Sequence, residues 1–139
     1  MKLLTNNQLK FAAFFLILTI LLNFGITQLL NAEEFSLVWI LVPLYAIPTF
    51  IAGLILGKKD HEILPLVVTG FKFHLITYII SNSVAILKHI FGFASIYENI
   101  NTVNLTIVFW GLGLLLHFVL YKKAKTKTIK GINQSEIFE

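Results

Sequence analysis

Four stretches of the chain, at roughly Phe11–Leu30, Phe35–Leu56, Ile63–Leu87 and Val103–Tyr121, each stay apolar for about 20 residues, the length an α-helix needs to cross the hydrocarbon core of a bilayer. In that medium each backbone polar group must be satisfied within the spanning structure, which leaves helices and closed barrels. These runs are continuous, with no period-two alternation, so they specify helices. The links Asn31–Glu34, Gly57–Glu62 and Lys88–Thr102 are short and require neighbouring helices to run antiparallel. The expected fold is an all-α integral membrane protein of four antiparallel transmembrane helices. Composition agrees: of 139 residues, 57% are hydrophobic and 13% charged, against about 25% charged in soluble domains. That charge content excludes a soluble enzyme, a secreted scaffold and a disordered tail.

Charge placement sets the orientation, because lysine collects on the cytoplasmic side. Lys2, Lys10, Lys58, Lys59, Lys122, Lys123, Lys125, Lys127 and Lys130 fall on one side of the four spans. The opposite side has Glu33, Glu34 and Lys88. Both termini are therefore expected in the cytoplasm, in a cell inner membrane. The first run exceeds a signal-peptide h-region in length, and Leu30-Asn31-Ala32 is a poor cleavage site, so a retained helix is expected. Three segments follow: a hairpin over 1–62, a second hairpin over 63–121, and a basic tail over 122–139. The tail starts with lysines suited to anionic headgroups and ends in Ser135-Glu136-Ile137-Phe138-Glu139, a frayed end or a docking segment. The third link mixes Phe91, Phe93, Ile96 and Tyr97 with Lys88, Glu98 and Asn99, as a surface-lying amphipathic turn or a plain loop does.

Cysteine is absent, and all eleven cationic side chains are lysine. Thiolate chemistry and disulfides are excluded, and nucleic acid loses its usual guanidinium fork. Polar side chains within the spans are the candidate functional residues. Thr19, Asn23 and Thr27 recur every four residues and form one stripe. Pro43 and Pro48 each remove a backbone donor from the second span, and Thr49, Gly53 and Gly57 follow as a small-residue stripe. His74, Thr77, Tyr78, Ser81, Asn82, Lys88 and His89 share a broad face of the third span. Lys72 lies on the other side, close enough to the cytoplasmic end to reach the headgroups. The fourth span contributes Trp110, Gly111, Gly113 and His117.

Counting from the outer surface at about 1.5 Å per residue puts His74 and His117 at one depth. The same count sets Tyr78 opposite a notch at Gly113, and Asn82 near the Trp110 indole. No Asp or Glu lies inside any of the four apolar runs.

The segment His74-Leu75-Ile76-Thr77-Tyr78-Ile79-Ile80-Ser81-Asn82 has the form H-L-x-x-Y-x-x-x-N. About 30 residues later, Trp110-Gly111-Leu112-Gly113-Leu114-Leu115-Leu116-His117 has the form W-G-x-G-L-x-x-H. Together, in this order, they resemble the bacterial two-transmembrane (2TM) domain family over roughly Phe71 to Tyr121. The resemblance implies an accessory membrane hairpin, in some proteins attached to signalling domains. It carries over His74, Tyr78, Asn82, Trp110, Gly111, Gly113 and His117 as motif positions. The family often continues with a W-E-x-R-like start, where this chain has Lys122-Lys123-Ala124-Lys125.

The expected function is a non-enzymatic sensing, scaffolding or regulatory module without a cofactor. Its partners are the lipid bilayer and another membrane protein or a second copy of itself. Two alternatives stand beside it. One is an oligomeric transporter or channel for small solutes or ions, using Lys72, His74 and Asn23. The other is a haem or metal protein held by His74 and His117.

Overall fold

The computed structural model describes the backbone of residues 4–61 and 66–130, and the side chains of 4–60 and 69–123. Four helices account for nearly all of it: α1 (Asn6–Asn31), α2 (Phe35–His61), α3 (Leu66–Ile90) and α4 (Ile100–Lys130). All four are long and apolar enough to cross a membrane. Their outer surface supports that reading, since Trp39 is 76% and Phe109 69% exposed. A soluble monomer rarely leaves large contiguous apolar faces in water.

The helices overrun the apolar stretches because backbone hydrogen bonding continues past the last apolar residue. The longest overrun is at α4, which continues from Tyr121 to Lys130, and α2 carries on through Gly57-Lys58-Lys59-Asp60 to His61, residues that polarity alone assigns to a loop. Beside this end of α2, α1 starts with a capping box. Thr5 Oγ1 accepts from the Gln8 N–H at 3.1 Å, and Gln8 Oε1 accepts from the Thr5 N–H at 3.1 Å. Two otherwise orphaned donors are thereby satisfied.

The core is aromatic and joins α1 to α3. Phe11 and Phe15 stack at 5.7 Å, and Phe11 meets Phe73 at 4.7 Å between centroids. Ile76 completes the buried set, with Tyr45, Ala52 and Leu56 of α2 packed against it. Positions that rise along α1 meet positions that fall along α2: Asn7 with Asp60, Phe11 with Gly53, Thr19 with Tyr45, Gly25 with Leu41. The first three helices pack against one another, whereas α4 packs against α3 alone among the described residues. The four helices therefore form a bundle of three with a fourth attached along one seam.

Two helix ends carry a left-handed residue, and they differ. Gly92 follows α3 with φ of 71°, and the Phe93 N–H bonds back to Lys88 O at 2.9 Å. Glu33 follows α1 with φ of 61°, and the Glu34 N–H bonds back to Leu29 O at 2.9 Å. Glycine adopts this geometry without a Cβ clash; glutamate does not.

Candidate functional site: the polar seam and its two latches

The α3–α4 seam carries most of the motif positions. His74 and His117 lie ring against ring, 4.8 Å between centroids and tilted by 41°. Both are exposed, and no hydrogen bond joins them. One end of the seam is closed by Phe71, stacked on Tyr121 at 5.1 Å.

Tyr78 sits one rung further along. Its hydroxyl donates to Ile107 O at 3.2 Å, and its ring meets the Trp110 indole edge-on at 5.8 Å. The notch that receives it is Gly111. A Cβ there would stand 3.2 Å from the Tyr78 hydroxyl, while one on Gly113 would meet nothing within 4 Å. This corrects the expected Tyr78–Gly113 rung. Asn82 is buried and donates to Tyr78 O at 2.8 Å within its own helix, while the indole belongs to Tyr78. Counting residues gives depth to within about a turn, but not the direction in which a long side chain leans.

Lys72 is half-buried two residues before His74. Asn23 lies on α1, where its amide donates to Thr19 O at 2.9 Å. The whole stripe bonds back onto its own helix: Thr19 to Phe15 O at 2.7 Å and Thr27 to Asn23 O at 3.0 Å. Its links outward are Thr19 with the Tyr45 hydroxyl at 3.2 Å, and Thr27 with Glu98 at 2.9 Å.

Glu98 belongs to a latch at the Phe91–Asn99 end of the molecule. Lys88 forms an ion pair with it, both side chains nearly withdrawn from solvent. Thr27 donates to the same carboxylate, as does the Ser95 N–H at 3.3 Å. Lys88 also reaches Thr27 Oγ1 at 3.4 Å. Burial pushes the Glu98 carboxyl up, but the bonds from Lys88, Thr27 and Ser95 with the Lys88 charge outweigh it and hold it below the usual carboxylate range. The link is thus a loop turned inside out, with Ser95 buried and Ile96 91% exposed. An apolar rim around a satisfied polar centre suits a segment lying on a membrane surface. Tyr97 ties it to the α1–α2 turn, donating to Glu33 at 3.0 Å.

At the opposite end Asp60 is 1% exposed. Thr5 donates to it at 2.6 Å and Asn7 at 2.9 Å. Sequence reading missed this carboxylate because it lies beyond the apolar run. Its donors are 55 and 53 positions away, and no local spacing announces them.

Among the described residues no three His, Cys, Asp or Glu gather as a metal-binding group. The cofactor reading therefore has the two imidazoles as its donor set here. Comparison with family models, with curated proteins and with solved structures finds no match. The end of the tail, 131–139, lies outside the described residues.

Proposed function

We propose that this chain is a non-enzymatic accessory module of a bacterial inner membrane, with four antiparallel spans and both termini cytoplasmic. In this reading it regulates or scaffolds another membrane protein, and α3 and α4 form a hairpin of the two-transmembrane type. The observation that carries the reading is the exposed His74–His117 pair. Both side chains lie within helices apolar enough to span, and polar groups facing lipid are costly. A protein surface offering hydrogen bonds removes that cost. The attachment of α4 to α3 alone leaves room for such a surface.

A photo-crosslinking residue at Leu116, 68% exposed on α4, tests this in cells. An adduct of one defined mass, lost in the His74→Leu/His117→Leu variant and not formed from Leu21 on α1, is the expected result. Lipid adducts alone would reject the partner.

A transporter is the second reading, and Asp60 favours it. Coupled transport commonly uses a buried carboxyl group, and Asp60 is a buried carboxylate at the end of a span. Solute flux in liposomes that disappears in both Asp60→Asn and Lys72→Met would establish it over the first.

A further inference from the structure

Two grooves flank α3, and their ends differ in charge. The groove between α1 and α3 has a volume of about 640 Å³ and opens beside Lys88. There the lysine is neutralised by Glu98, and Glu33 and Glu34 add negative charge. The groove between α2 and α3 has a volume of about 470 Å³ and opens beside Lys58. Lys58 and Lys59 are exposed at that end, while the nearby carboxylate of Asp60 is buried and occupied by Thr5 and Asn7.

The second groove is lined by the rings of Phe11, Phe50 and Phe73, and its floor lacks side chains at Gly53 and Gly57. A Cβ added at either glycine would meet nothing closer than 3.8 Å. Each would stand in ordinary contact with a neighbour, Phe11 at Gly53 and Thr69 at Gly57. The volume falls within the 300–1,000 Å³ typical of ligand sites, which are mostly apolar with a few placed polar groups. An exposed ammonium stands at the helix end and phenyl walls lie deeper in, alongside the polar side chains of Thr49, His74 and Thr77. A membrane lipid likewise presents a charged head and then a hydrocarbon chain.

We propose that the α2–α3 groove binds one anionic phospholipid, its phosphate at Lys58 and an acyl chain along Gly57 and Gly53. Charge complementarity selects the lipid: the Lys58 end attracts an anionic head, whereas the Lys88 ammonium at the other groove is already paired with Glu98. The inference rests on the multi-pass reading above.

The test reconstitutes the full chain in bilayers of equal phosphatidylglycerol and phosphatidylcholine, extracts it in mild detergent, and counts retained lipids by native mass spectrometry. The expected result is one phosphatidylglycerol, favoured several-fold over phosphatidylcholine. Lys58→Gln removes the preference. Gly57→Leu, with unchanged helix content, removes retention of both lipids. Lys123→Gln, outside the groove, changes neither. Equal retention of the two lipids by the unaltered chain overturns the site. So does an equal loss of preference in Lys58→Gln and Lys123→Gln, which would indicate diffuse surface charge. A chain that fails to enter bilayers at all would strike the multi-pass reading itself.

Discussion

The carboxylate of Glu98 pairs with Lys88, ten residues earlier, and takes a hydrogen bond from Thr27 of a different helix at 2.9 Å. One acidic side chain thus ties α1, the end of α3 and the approach to α4. Glu98→Gln should lower stability by about 1–3 kcal/mol, the usual range for a charged hydrogen-bonded group losing its partners. The pH dependence has a definite sign. The folded carboxyl titrates below its ordinary value of 4.5, so the contribution is complete above that value and fades as pH falls through the lower folded one. Thermal melts in detergent between pH 7 and 3 should show this acid loss, and Glu98→Gln should flatten it.

Gly111 and Gly113 offer a paired comparison. Gly111→Ala forces the Tyr78 hydroxyl away from Ile107, an overpacking effect of about 1–3 kcal/mol. Gly113→Ala enters open space and should stay within about 0.5 kcal/mol of the parent. Tyr78→Phe should relieve much of the Gly111→Ala penalty, which a double-mutant cycle of unfolding free energies would read directly.

Thr5 serves two masters: it caps α1 and donates to Asp60. Thr5→Ala should cost about 1–2 kcal/mol, the upper part of the range for losing a cap. Thr5→Ser keeps the hydroxyl and should recover most of it. Denaturant titration followed by helical circular dichroism would separate the two; equal loss in both variants would remove the hydroxyl from the account.

The two left-handed helix ends should respond oppositely. Gly92→Ala places a Cβ where φ is 71° and should destabilise by about 1–2 kcal/mol. Glu33→Gly relieves the same conflict but gives up the bond from Tyr97. In a Tyr97→Phe background that bond is already gone, so Glu33→Gly should raise the melting temperature.

How much of this was legible beforehand depends on the kind of information. Long apolar runs reveal helices, because length and hydropathy are local properties; all four were readable. Depth was readable too, which is why residue counting brought His74 level with His117. Azimuth and reach were not: Tyr78 leans to Gly111, and Asn82 turns back onto its own helix. Pairings across fifty or more positions, such as Thr5 with Asp60 or Thr27 with Glu98, leave no mark on local patterns. The core was also hidden, since Phe11 and Phe15 differ in sequence from the exposed Phe14 and Phe24 only by phase.

The single seam that holds α4 has a mechanical consequence. A helix gripped on one side passes force through that side alone, between the Lys88–Glu98 latch before its start and the Phe71–Tyr121 stack near its end. Force applied beyond Tyr121 would act on the Phe71–Tyr121 and His74–His117 contacts before it reached the phenylalanine core. Displacing α4 would therefore leave the contacts among the other three helices in place.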